Sequence, residues 1–353
     1  MFVNARKYLF VALGTVLALG AQSVIAQIGY PPLAKQVTLP QDEAPHHNST
    51  EWWYFVGHLD GVDPTGQKRQ YGFELTVFQE RLTPLKLAPA IYAAHLAIAD
   101  VTRSTYSYEE RATLAHIPHE KDGFSFDIDH WTASGGSGKY ALDAIFANAP
   151  YGLHLQLTSD KPAVLHGNKG IIPYGPFGTS AYYSYTSLAA KGTIVDHGVP
   201  VTVTGISWQD RQWGNYKSMH KTGWNWFCMQ LNDNVQYMLY FIQDDTGNIV
   251  EKAGTKIVDG VGTAISADQM SMTPIDSWIS SKSGNRYPSK WQVTVPDGSL
   301  TVTPLVPHQE LVWPRQKTYF EGDSEISGTL NGKPASGLGY AEVNPYHEAK
   351  QHP

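Results

Sequence analysis

The chain has 353 residues, of which 16% are charged, and a formal net charge of −6. That balance excludes a basic surface for nucleic acid or for anionic lipid, and no Lys/Arg run interleaved with aromatics occurs. Aromatics make up 12%, with 20 tyrosines and 10 tryptophans, which favours strands and a lined cavity over a helical bundle.

The N-terminus reads as a cleaved secretory signal over residues 1–26. "MFVNARK" carries two positive charges, "YLFVALGTVLALG" is an apolar core, and "SVIA" supplies small residues ahead of Gln27. The apolar run is short for a membrane span, and no cysteine follows the cut to take a lipid. The expectation is a secreted or periplasmic protein without a stable membrane anchor. Cys228 is the single cysteine, so no internal disulfide forms. It lies in "NWFCMQL", a buried-strand setting that fits a structural thiol. Asn48-Ser49-Thr50 is a glycosylation sequon for a eukaryotic host.

After a proline-containing lead comes "HHNSTEWWYFVGHL". His47 and Glu51 invite a metal reading, but on a strand they stand about 13 Å apart, and no second His/Cys cluster accompanies them. No metal and no cofactor are therefore expected. A strand here would pack Trp52 and Tyr54 on one face and Trp53 and Phe55 on the other. Both tryptophans then read as structural, with His47 and Glu51 near a cavity mouth. "YGFELTVF" places Tyr71, Phe73, Leu75 and Val77 on one side, Glu74 and Thr76 on the other. "YEERATLAHI" is the best candidate for a short helix. "YGPFGTSAYYSYTSL" puts Tyr183 and Tyr185 on a common face. "SWQDRQW" then sets Asp210 beside Arg211, between Trp208 and Trp213. Either Arg211 pairs with Asp210, or apolar surroundings raise the acid's pKa and make it a proton donor.

Further on, "GWNWFCMQLND" with Trp224 precedes "VQYMLYFIQ", as "EWWYFVGHLDG" precedes "YGFELTVF". "KWQVTVP" and "SLTVTPLV" repeat the period of two, and "DDTGN", "PDGS" and "NGKP" punctuate it. The predicted fold class is all-β, with two antiparallel barrels, one over residues 27–190 and one over 191–353. No Gly-x-Ser-x-Gly elbow is present, and the serine-nucleophile case is poor.

"STEWWYFVGHL", "YGFELTVF", "YYSYTSLAAKGTI", "VTGISWQDRQWG" and "YFEGDSEISGTLNGKPASGLGYAEV" together resemble the AttH/carotenoid 1,2-hydratase-like family, from about residue 41 to 346. The resemblance implies two packed lipocalin-like (calycin) barrels with a ligand cavity between them. It also implies hydration of an isoprenoid double bond, in character nearest to the kievitone hydratase branch. The family's catalytic aspartate falls on Asp210 and the preceding aromatic on Trp208. Tyr183 and Tyr185 stand where the carotenoid enzymes have His and Trp.

Hydrating a prenyl alkene needs an acid, aromatic faces for a tertiary cation, and a confined water. The expected catalytic set is Asp210, Tyr183 and Tyr185. Substrate contacts are expected from Trp208, Trp213, Trp224, Glu51 and His47. The expected partner is a lipophilic small molecule, such as a prenylated isoflavonoid or a carotenoid. A non-catalytic lipid carrier and a Diels–Alderase-type pericyclase are the alternatives, since lipocalin-like cavities also serve as carriers.

Overall fold

The computed structural model describes residues 29–118, 120–216, 223–244, 246–312 and 318–344. The leader read in residues 1–26 lies outside them. Among the described residues the regular structure is antiparallel strand apart from three short 3₁₀ turns.

The first sheet opens with four long strands: β1 (Thr50–Val62), β2 (Lys68–Glu80), β3 (Ala90–Asp100) and β4 (Thr105–Ala115). A meander of shorter ones follows, β5 (Phe124–Ile128), β6 (Trp131–Gly136), β7 (Lys139–Ile145) and β8 (Tyr151–Thr158). The short β9 (Val164–Leu165) and β10 (Ile171–Pro173) lead into the hairpin β11 (Thr179–Asp196) and β12 (Val199–Gly214). β12 returns to pair with β1, giving the order β4-β3-β2-β1-β12-β11-β8-β7-β6-β5.

The second sheet begins with β13 (Gly223–Leu231), β14 (Val235–Gln243), β15 (Ile249–Val258) and β16 (Val261–Ile265). It continues through β17 (Ser271–Ile279), β18 (Arg286–Val295), β19 (Gly298–Pro304) and β20 (Glu310–Leu311). The hairpin β21 (Tyr319–Leu330) and β22 (Lys333–Asn344) closes it on β13, in the order β16-β15-β14-β13-β22-β21-β19-β18-β17. Each sheet thus has a four-strand meander whose first strand meets the final hairpin. The two tryptophan-rich strands β1 and β13 hold equivalent places, so the echo in the sequence is an echo in topology. The fold is the expected all-β one, two curled, nearly closed antiparallel sheets of lipocalin type.

The expected division at residues 190/191 falls inside β11. Chain pairing changes sheet later, between Gly214 and Gly223. The physical reason is that β11 and β12 are one continuous hairpin, paired from Ser180↔Gly214 to Asp196↔Val199. The expected helix in "YEERATLAHI" is also strand, most of it in β4. Its polar residues brace neighbouring strands instead of forming a helix face. Glu109 accepts the backbone N–H of Ala147, and Arg111 lies over the Trp131 ring.

Period-two alternation gives every central strand two buried faces. Trp53, Phe55, Phe73, Leu75, Tyr183 and Trp213 belong to the core of the first sheet. Phe227, Leu239, Trp291 and Phe320 belong to the core of the second. The opposite faces meet in a third cluster that includes Tyr54, Tyr182, Trp208, Trp226, Cys228 and Tyr340. Gly72 permits this approach, because a Cβ there would lie 2.6 Å from Tyr340 Oη. Cys228 is buried and free, as its strand setting implies.

Candidate active site

A cavity of about 1350 Å³ lies between the two sheets, above the ~300–1,000 Å³ usual for small-molecule pockets. Its apolar walls include Trp52, Tyr54, Trp224, Trp226 and Tyr240, and its acids are Asp210, Glu74, Glu321, Glu342 and, nearer the strand ends, Glu80. The walls come mainly from the faces of β1, β2, β3, β12, β13, β14, β21 and β22 that do not fill a barrel core.

Asp210 is paired across the ladder with Tyr54 on β1 and with Ser184 on β11. Tyr182 Oη donates to its Oδ2 at 2.5 Å, Trp208 Nε1 donates to Oδ1 at 2.6 Å, and Ser184 Oγ also donates to Oδ1. These three donors favour the carboxylate, but burial outweighs them and pushes the pKa up to about 7. Among the described residues no cation compensates the group. Arg211 points to the other side of the strand, where it pairs with Glu51 at 2.5 Å. The ion-pair alternative for Asp210 is thereby excluded by the alternation of the strand itself.

Behind Asp210 runs a chain of neutral groups. Ser184 Oγ lies 2.7 Å from His166 Nε2, and His166 Nδ1 lies 2.8 Å from Thr255 Oγ1. Since Ser184 spends its proton on Asp210, His166 Nε2–H donates to Ser184 and Nδ1 accepts from Thr255. Burial holds the imidazole down to about 3, so it stays neutral. Tyr182 Oη in turn accepts from Trp226 Nε1 at 3.0 Å. Oδ1 of Asp210 carries two hydrogen bonds and Oδ2 one, so Oδ2 is the oxygen with a lone pair open for a transferable proton.

The residues expected from the sequence divide between the two faces. Asp210 and Trp224 line the cavity, and Trp224 Nε1 donates to Glu342 at 3.0 Å. Trp208 is fully buried behind the wall and reaches the site through its indole N–H. Tyr183 and Tyr185 point away, into the first core, where Tyr185 Oη donates to Glu43 at 3.0 Å. Tyr182 takes the place assigned to them, because even-numbered residues of β11 share the face of Asp210. Trp213 also faces the core, stacked on His46 at 4.3 Å.

Glu51 is completely buried on that same core side, held by Arg211 and by His46 Nδ1 at 2.6 Å. His46, not His47, is therefore its partner. His47 is absent from the cavity lining, and its carbonyl accepts from Arg81. Trp52, expected to be structural, lines the cavity, whereas Trp53 is buried between Phe126 and Arg211. Asn48 is buried, with Nδ2 donating to Pro31 O at 3.0 Å and Asn215 Oδ1 at 3.1 Å. The nitrogen that would carry a glycan is engaged in two hydrogen bonds in the folded protein.

Sequence reasoning missed Tyr182, Ser184, His166 and Glu321 as site residues, and placed Glu74 only on a non-core face. A charged residue in mid-strand between core positions, as in "GFELTVF", was the available signal for Glu74. His166 carried none, since its partners come from β11 and β15.

The fold defines a lipocalin-like protein of two curled sheets, with an aromatic- and acid-lined cavity between them. The AttH-like family matches residues 31–346, and the chain belongs to that family. A solved AttH of Nitrosomonas europaea is similar at 28% identity and TM-score 0.78, over 90% of this chain and 99% of that one. Kievitone hydratase from Nectria haematococca shares the fold at 18% identity and TM-score 0.68, over 90% and 98% of the respective chains. CghA does so at 10% identity and TM-score 0.57, over 92% and 97%. No curated protein matches the chain in sequence.

Proposed function

We propose that the protein is a secreted hydratase that adds water to a C=C bond of a lipophilic, prenylated or terpenoid small molecule. The observation that carries this reading is Asp210: a buried carboxyl with no compensating cation among the described residues, opening onto an aromatic-walled cavity. Held near pKa 7, its proton is available at neutral pH and acidic enough to be transferred. In the reaction Asp210 Oδ2 protonates the less substituted alkene carbon and leaves a tertiary cation. The three donors around Asp210 then stabilise the new carboxylate. Trp52, Tyr54 and Trp226 present ring faces to the cation, which cation–π attraction favours in a dry site. Water adds to the cation and its surplus proton returns to the Asp210 carboxylate, which gives the tertiary alcohol and restores the acid.

The shared fold with kievitone hydratase supports the reading, and the leader pattern supports secretion. The test is turnover of a prenylated substrate in H₂¹⁸O. Incorporation of one labelled oxygen and an added mass of 20 Da are expected, from ¹⁸O-water. A ligand recovered unchanged would instead mark a carrier, and an isomer of unchanged mass a pericyclase.

A further inference from the structure

Glu74 on β2 and Glu321 on β21 bring a second acidic feature to the cavity wall, one that proton delivery by Asp210 does not use. Both are 1% exposed. Glu74 Oε1 accepts from Thr76 Oγ1 at 2.8 Å and from Tyr319 Oη at 2.9 Å. Glu321 Oε1 accepts from Tyr54 Oη at 2.8 Å. The second oxygen of each, Oε2, is buried and has no hydrogen-bond partner among the described residues. Two buried carboxyl oxygens on residues that line one cavity are costly unless water or a ligand satisfies them.

Burial raises Glu74 to about 7. Burial first, and then the charge of Glu74, hold Glu321 well above the carboxylate range. Near neutrality Glu321 is therefore the protonated member and offers an O–H. Glu74 is the member that readily presents an accepting oxygen. The group that satisfies both must give one hydrogen bond and take one. A hydroxyl does that. An ammonium cannot accept, an ether cannot donate, and a carboxylate or phosphate would face both acids of the pair.

We infer that Glu74 and Glu321 form a subsite that anchors a hydroxyl of the ligand, a phenol or an alcohol, with Glu74 accepting from it and Glu321 donating to it. The inference rests on the cavity being the substrate site and is independent of the hydration step. It defines the substrate class more narrowly: an uncharged molecule with a prenyl-like arm for Asp210 and a hydroxylated end for the acid pair.

The probes are 4-prenylphenol, its methyl ether and 4-prenylbenzoate. Binding at pH 7 is read from the quenching of the cavity tryptophans Trp52, Trp224 and Trp226. The phenol should bind at least about tenfold tighter than the ether, the scale of a hydrogen bond to a charged or buried acceptor. The benzoate should bind weakest. Glu74→Gln places an N–H where the accepting oxygen stood and should abolish the preference for phenol over ether. Glu321→Gln keeps a donor at that position and should preserve it. Equal affinity of the wild type for phenol and ether overturns the inference, with no variant needed. A preference that survives in folded Glu74→Gln overturns it as well. Failure of all three probes to bind removes the substrate-site reading and this inference with it.

Discussion

At the scale of single residues, the site turns on which groups touch Asp210. Asp210→Asn keeps the shape and removes the proton, so turnover should fall by at least about 10²-fold, the usual scale for a general acid. Activity of the wild type should decline as pH rises through about 7, because only the protonated form donates. Tyr182 supplies a hydrogen bond to the carboxylate. Tyr182→Phe removes that support, raises the Asp210 pKa further and should move the descending limb of the pH–rate profile to higher pH. Tyr183→Phe should leave the limb in place, since Tyr183 lies in the barrel core. A pH–rate profile for each variant checks the pair, and a shift in Tyr183→Phe alone would reverse the assignment. Replacing a buried acid by a neutral isostere also removes the cost of burying its charge. Folded Asp210→Asn should therefore be at least as stable as wild type at pH 8, by denaturant titration.

At the scale of strands, β12 separates two kinds of electrostatics. One face holds Asp210 with no cation beside it among the described residues. The other holds Arg211 against Glu51, 3.8 Å over the Trp53 ring and 5.2 Å from Trp213. Both partners of that ion pair are fully buried. Removing one strands the other, which costs about 3–5 kcal/mol. Glu51→Gln should accordingly lower the midpoint of unfolding while activity per folded molecule survives, the reverse of what a place at the cavity mouth would give.

The face assignments within β1 and β2 were legible, because alternation is local: Trp53 and Phe55 inside, Glu74 and Thr76 on the opposite face. The step from strand to strand was not. Choosing Tyr182 over Tyr183 requires the register Ser184↔Asp210, which hydrogen bonding between β11 and β12 sets and which slips between Tyr185 and Leu188. Likewise, nothing in β2 says that its polar face is covered by a second sheet instead of water. That cover is what turns Glu74 from a solvated residue into a buried acid.

At the scale of the whole molecule, the buried titrating groups combine into a direction. Asp210 and Glu74 have pKa values raised in the folded state, to about 7 each. The folded protein therefore binds more protons than the unfolded chain between about pH 4 and 7, and stability from these groups falls as pH rises through that window. His46, raised by its interactions with Glu51 and Asp42 against the opposing effect of burial, adds stability below its ordinary pKa that is lost above its folded value. Glu51 is lowered chiefly by Arg211 and then by His46, again against burial, and acts in the opposite sense only at more acidic pH. The melting temperature should be higher at pH 5.5 than at pH 8, and Asp210→Asn should flatten that slope in a thermal scan. An unchanged slope would mean that Asp210 stays ionised in the folded state. Along β1, β11, β12 and β13 the residues that hold a barrel together and those that face the cavity side alternate one by one. The strands thus behave like text in a reading frame. Substitutions at cavity positions can rewrite ligand preference while the scaffold letters stay constant. One inserted or deleted residue within β12, by contrast, would send Arg211 toward the cavity and Asp210 toward the core. Changes that keep this fold are therefore substitutions within these strands and length changes in the turns.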